Sequence, residues 1–322
     1  MGEPYYKYSQ FLKDKYGKKT YKLPVNLPTT CPNRDGNLAK AGCHFCGEEG
    51  ADFEMLPDEM SVTNQLLENK EYIGERYGVD QFIAYFQNYT NTYLELNKLK
   101  NYIKEAAKVE GIKSVYFSTR PDSISDQYIS TLKNILQEIS SEIELAFEFG
   151  LQTVNYKTLK NVNRQHGLAE FIDAVLRAKR FEVEVGAHLI LNLPGDTRED
   201  VIEGARILSA LEVDHVKLHA LYIRENSVFA KKYKAGELEI CSLAEYIERV
   251  ILFLENLSPD IAVQRLIGRA PGEESIFVNW DTPWWKIHDM IIKEMKKRNT
   301  YQGRLFNYLN GKALSKFQTN NN

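Results

Sequence analysis

The chain has 322 residues, 43% of them hydrophobic and 26% charged, with a formal net charge of −3. That is enough apolar material for a substantial core, and the slightly acidic balance excludes a generally basic nucleic-acid binder. No apolar run is long enough to span a bilayer, and the stretch after Met1 has no apolar segment of the secretory kind, so a cytoplasmic protein is expected.

In chain order, a first strand is predicted at 20–27. The loop after it holds three of the four cysteines, Cys31, Cys43 and Cys46, spaced C-x11-C-x2-C. Cytoplasmic thiols stay reduced, so this cluster favours a metal site or catalysis over disulfides. Pro32, Asn33, Asp35, Gly36 and Gly42 are turn-forming residues that let such a loop fold around one centre. Three thiolates suit a [4Fe–4S] cluster with one open iron. They also suit zinc, with His44 or a water as fourth ligand. The position after the first strand of a β/α array, and the aromatic Phe45 before the last cysteine, shift the balance towards iron–sulfur. Cys241, far away in sequence, is expected to be an inert buried thiol.

Further strands are predicted at 81–87, 112–119, 143–152, 184–194 and 215–223, with a possible seventh at 261–268. Amphipathic stretches separate them, with apolar residues at three- and four-residue intervals. Repeated β–α units imply an α/β fold with a parallel sheet, as a complete or partial barrel or an open doubly wound sheet, and chemistry at the carboxyl ends of the strands. A helix-rich tail begins near 283, and the last residues, QTNNN, read as disordered. Residues 1–260 are expected to form the main domain with an N-terminal extension, and 261–322 a C-terminal strand and helical extension. Charge is uneven: +5 over residues 1–40, +6 over 293–322 and −14 between them. The basic ends would form a phosphate-tracking patch if they met in space; otherwise they are ordinary solvated segments. No GxGxxG, Walker loop, HExxH or Ser–His–Asp pattern supports a competing nucleotide or hydrolase reading.

Cys43-His44-Phe45-Cys46 resembles the end of the radical S-adenosylmethionine (SAM) motif, in which an aromatic residue precedes the third cysteine. The wide spacing is similar to the branch related to the Elongator catalytic subunit. Within it, CPNRDG…GCHFC resembles the bacterial YhcC/YtqA-type proteins, including the wobble-uridine tRNA-modifying MnmL group. YFQNYTNTY (85–93), STRPDSI (118–124), EFGLQT (148–153), NRQHG (163–167), HLILNLPGDT (188–197), VKLHALY (216–222) and QRLIGRAP (264–271) extend the likeness over roughly residues 5–310.

The resemblance implies a partial (β/α)6 radical SAM barrel with an N-terminal extension and a helical C-terminal tail. Cys31, Cys43 and Cys46 would hold a [4Fe–4S] cluster whose open iron chelates SAM. Reduction by an electron donor such as flavodoxin or ferredoxin would then release a 5′-deoxyadenosyl radical. Phe45 would touch the adenine. Gln87 and Asn88 would bond the SAM amino group, and Glu148 and Gln152 the ribose or amino group. Arg164 would pair with the methionine carboxylate, with His166 orienting it. Thr119, Arg120 and Asp122 would line the cavity. Asn192 stands where the family's adenine-backing segment commonly has glycine, which makes a close backbone approach there less certain. Asp196 and Glu199 fit a helix N-terminus. His188, His219 and Tyr222 are core residues or face substrate, with core histidines the safer reading. Arg265 and Arg269 are candidates for a substrate phosphate or carboxylate. Trp280, Trp284 and Trp285 either stack on a base or bury a helix. The substrate implied is tRNA, with conversion of carboxymethylaminomethyl-uridine to aminomethyl-uridine at the wobble position. The alternatives are a radical SAM enzyme acting on a protein or small metabolite, and a zinc-stabilised binding module.

Overall fold

Seven strands with alternating faces make one parallel sheet. The computed structural model describes residues 3–47, 55–270 and 274–314; Pro271 and the QTNNN stretch lie outside them. The strands are β1 (Thr20–Val25), β2 (Gln81–Phe86), β3 (Ile112–Thr119), β4 (Glu144–Gln152), β5 (Glu184–Ile190), β6 (His215–His219) and β8 (Ala262–Arg265), in the spatial order β1-β2-β3-β4-β5-β6-β8. Every pairing is parallel. A separate antiparallel pair joins β7 (Ile223–Arg224) to β9 (Ser275–Phe277). The possible seventh strand of the sequence is thus β8, and it extends the sheet beside β6 rather than standing apart.

Each outer face is apolar and each inner face largely polar, the period-two consequence of strand pleating. Outward residues such as Leu23, Phe82, Phe117, Phe147, Val185 and Val216 join the main hydrophobic core. That core is completed by the apolar stripes of helices α2 (Val62–Tyr77), α3 (Leu96–Ala107), α4 (Asp126–Ile139), α6 (Leu168–Arg180), α7 (Arg198–Ala210) and α9 (Leu243–Asn256). In α4 the stripe is Ile129, Leu132, Ile135 and Leu136, the three- and four-residue spacing of a half-buried helix. Side chains of Ser61, Ser125, Thr197 and Ser242 cap the starts of α2, α4, α7 and α9 by accepting backbone N–H groups. Among the described residues, no helix is long and apolar enough to cross a membrane.

The sheet curls without closing, and α1 (Tyr8–Tyr16) stops its lower end. Lys7 bridges in parallel to Val263, and Tyr6 carbonyl accepts from Val263 N–H. Tyr8 and Leu12 of α1 pack inside the barrel with Ile83, Tyr85, Tyr116, Ala146 and Ala262. Parts of the two basic ends do meet here. Gln302, beyond α10 (Trp284–Lys297), bonds Pro4 and Tyr6, and Lys296 acts on the Glu3 carboxylate. Gln302 also bonds the carbonyls of Ser258 and Ile261 just before β8. The start of the chain and the segment after α10 therefore gather at the amino ends of the strands, whereas Arg34 and Lys40 of the basic N-terminal stretch lie in the cysteine loop at the other end.

Candidate active site

The cysteine loop is stitched to the segment after α5 (Tyr156–Asn161). Asn33 Nδ2 donates to Asn163 carbonyl at 2.6 Å, Asn163 Nδ2 donates to Gly42 carbonyl at 2.7 Å, and His44 N–H donates to Val162 carbonyl at 3.0 Å. Asn163 and Gln165, in the NRQHG stretch, carry positive φ, so the chain folds back tightly there. Cys31, Cys43 and Cys46 are free thiols, and all three line one cleft of about 220 Å3 at the carboxyl ends of the strands. Donors converge on the sulfurs. Arg34 Nη2 lies 3.2 Å from Cys46 Sγ, and Asn33 Nδ2 and Arg164 Nη1 each lie 3.5 Å from Cys43 Sγ. Burial pushes the Cys46 thiol up, while Arg34 pulls against it. Among the described residues no three His, Cys, Asp or Glu side chains gather tightly around a single ion. Three thiols lining one cleft, with N–H donors at the sulfurs of Cys43 and Cys46, fit the thiolate ligation and sulfur hydrogen bonding of an iron–sulfur cluster.

Six of the ten expected SAM contacts line this cleft: Phe45, Gln87, Thr119, Arg120, Gln152 and Arg164. Arg120 is held by two bonds to Asp122, at 2.8 and 2.6 Å, and its Nη1 is buried with no partner. Arg164 Nη2 donates to Gly150 carbonyl at 2.8 Å. A Cβ on Gly150 would stand 2.8 Å from both Arg164 Nη2 and Gln152 Nε2, so a larger residue there would push both side-chain ends aside. The β4–β5 register shifts between Gly150 and Gln152, which turns Gln152, at φ 75°, into the cleft.

The other four are placed elsewhere. Asn88 is buried against Asn26 and caps Tyr89 N–H. Asp122 lies behind Arg120 and borders a neighbouring groove. Asn192 accepts from Leu221 N–H at 2.7 Å and is 2% exposed, so it ties two loops together. Glu148 is fully buried beneath the cleft floor. It points inward like Gln152 but sits four residues earlier on β4, in line with Ser118, Gly186 and His215.

Glu148 is the hub of a polar network inside the barrel. It pairs with Lys22, accepts from Gln264 and from Tyr85 Oη at 2.7 Å, and contacts His188 Nε2 at 2.8 Å. Burial alone would raise its carboxyl, but Lys22, Lys217 and the His188 bond hold it well below the usual range. Deeper still, His215 Nε2 lies 3.1 Å from Glu184, which also pairs with Lys15. Gly186 makes this possible, because a Cβ there would collide with the His215 ring. The sequence reading missed Lys22, Tyr85, Lys217 and Gln264, since single polar residues in apolar strands have no motif. It also missed Arg34, whose signal was its place between the clustered cysteines. His188, His219 and Tyr222 line the cleft, with both histidine rings largely buried in its wall. Arg265 Nη2 lies 2.7 Å from His219 Nδ1, and Arg269 is exposed. Trp280 is structural, donating to Cys241 carbonyl and packing on Tyr246, whereas Trp284 and Trp285 are exposed.

The profile of the Radical SAM superfamily matches residues 25–208, and that of the Radical_SAM C-terminal domain matches residues 213–297. The chain belongs to the radical SAM superfamily, and its cofactors are SAM and a [4Fe–4S] cluster. It is 30% identical to YtqA of Bacillus subtilis over 306 residues, covering 95% of this chain and 94% of YtqA. It is 30% identical to YhcC of Escherichia coli over 275 residues, covering 85% of this chain and 86% of YhcC. The archaeal Methanocaldococcus infernus Elp3 shares the fold, with a TM-score of 0.66 at 17% identity, over 88% of this chain and 64% of that one. The zinc-module reading gives way to this assignment.

When bound, the cluster and SAM supply a carbon radical that removes hydrogen from an unactivated carbon. The protein's own part is positional. Arg34 and Arg164 set the charge around the thiols, Asn33 donates to Cys43 Sγ, and Arg120 and Arg164 offer cations to an anionic group.

Proposed function

We propose that this enzyme acts on tRNA, remodelling carboxymethylaminomethyl-uridine at the wobble position to aminomethyl-uridine, in the cytoplasm and with flavodoxin or ferredoxin as electron donor. Hydrogen would be taken from the glycine-derived carbon of the side chain, and the carbon–nitrogen bond then cleaved. The observation that carries the reading is the run of motifs from CPNRDG…GCHFC to QRLIGRAP, which resembles the wobble-uridine-modifying group along nearly the whole chain. A cleft-side basic segment supports it. Helix α8 (Val228–Lys234) carries Lys231, Lys232 and Lys234, and Phe229 N–H donates to His44 carbonyl within the cysteine loop. Cations beside the cleft mouth suit an RNA backbone.

Nucleoside mass spectrometry of total tRNA from cells with and without the gene tests this. Accumulation of carboxymethylaminomethyl-uridine, with loss of its downstream products, is the expected outcome. An unchanged profile overturns the tRNA assignment and leaves a radical SAM enzyme acting on a protein or metabolite.

A further inference from the structure

Two histidine rings stand side by side in the cleft, His188 from β5 and His219 from β6, with centroids 5.4 Å apart. Their hydrogen-bond partners fix them differently. His188 Nε2 is 2.8 Å from Glu148, a carboxylate that Lys22 and Lys217 keep ionised and that can only accept. His188 Nε2 therefore carries the proton, and Nδ1 is left as an acceptor. Arg265 Nη2, which can only donate, lies 2.7 Å from His219 Nδ1. His219 Nδ1 is therefore the acceptor, and its N–H is on Nε2. The 3.4 Å approach of Arg265 to Nε2 sets donor against donor, so the shorter contact decides the tautomer. Burial holds both rings neutral, with His188 pushed down to about 4 and His219 pushed well below its ordinary value by burial and by Arg265.

We infer that His188 and His219 together read a cis-amide edge, in which an N–H and a carbonyl lie next to each other, as on the Watson–Crick edge of uracil. His188 Nδ1 accepts from the base N3–H, and His219 Nε2–H donates to the adjacent carbonyl. Cytosine presents the opposite order, an acceptor at N3 beside an amino donor, and leaves both histidines facing a like group. The inference rests on the wobble-uridine reading and adds the groups that select the base.

The test uses the anaerobic holoenzyme with SAM and no reductant. Three anticodon stem-loops identical except at the wobble nucleotide (uridine, cytidine or N3-methyluridine) are titrated and their Kd values compared. Uridine is expected to bind about tenfold or more tighter than the other two, as one two-point base contact allows. In His188→Gln and His219→Gln the preference for uridine over cytidine collapses, because a rotating amide offers either a donor or an acceptor. Equal binding of all three stem-loops by the natural enzyme overturns the inference alone, and the tRNA nucleoside profile still decides the function. Retained preference in both glutamine variants also overturns it. Binding of none of the three overturns both readings. If a variant fails to fold, the N3-methyluridine comparison in the natural enzyme decides by itself.

Discussion

Cys43 is buried, with Asn33 and Arg164 at its sulfur. Its replacement by alanine takes away one of the three thiols that would hold the cluster, but little packing volume. Cys43→Ala is expected to lose most of the iron and all SAM cleavage while keeping its far-ultraviolet circular dichroism. Normal iron content and SAM cleavage in that variant would show that Cys43 is not a ligand. Glu148 poses a different problem. It is fully buried, and its removal takes away the carboxylate that Lys22 and Lys217 share. Glu148→Ala should cost about 3–5 kcal/mol in urea denaturation, the usual penalty for breaking a buried pair from one side. Glu148→Leu combined with Lys22→Met should recover much of that loss. A cost below about 1 kcal/mol for Glu148→Ala would mean that water reaches the barrel interior.

At the scale of elements, α1 and α8 do opposite jobs. α1 packs Tyr8 and Leu12 into the lower barrel between β1 and β8, the two edges that the sheet leaves open. Leu12→Ala is expected to cost about 2–5 kcal/mol, as other buried leucine truncations do, with the cofactor cleft unaffected. A lower urea midpoint with unchanged SAM affinity would bear this out. α8 instead carries charge to the cleft mouth. Reversing Lys231 and Lys232 to glutamate should weaken tRNA binding and flatten its salt dependence. The same reversal at Lys296 and Lys297, on the far end of the barrel, should do much less. An equal loss from both pairs would place the RNA path along the whole flank rather than at the cleft.

For the whole molecule, the polar barrel interior predicts an acid limit. His188, pushed down to about 4, and His219, well below its ordinary value, stay neutral in the fold while the unfolded chain takes up protons near 6.5. Their stabilisation is complete above about pH 6.5 and is lost as the pH falls towards the folded values, at about 1.4 kcal/mol per pH unit for each ring. Glu184, held at about 2 against an unfolded value near 4.3, extends the loss to lower pH. Urea midpoints measured from pH 7.5 to 4.5 at constant ionic strength should fall steadily below about 6.5. A flat profile would contradict the neutral, buried state of both rings.

The linear sequence was sufficient for whatever depends on local pattern. The six strands from 20–27 to 215–223 were legible because their residues are β-branched or aromatic and turn signals bound them. The cysteine cluster was legible because its spacing lies within one loop. The family motifs carried Phe45, Gln87, Arg120, Gln152 and Arg164 to one cleft. Depth within the barrel was a different matter. Glu148 and Gln152 are four residues apart on one strand, yet the shift after Gly150 sends one to the cleft and leaves the other in the interior. Register between strands depends on partners far away in sequence, such as Gly186 and His215 opposite Glu148. The meeting of the start of the chain with the segment after α10 at the wrong end of the barrel for the cleft, and the fixing of the His188 and His219 tautomers by Glu148 and Arg265, arise the same way. Both come from contacts between distant segments, which only the folded chain brings together.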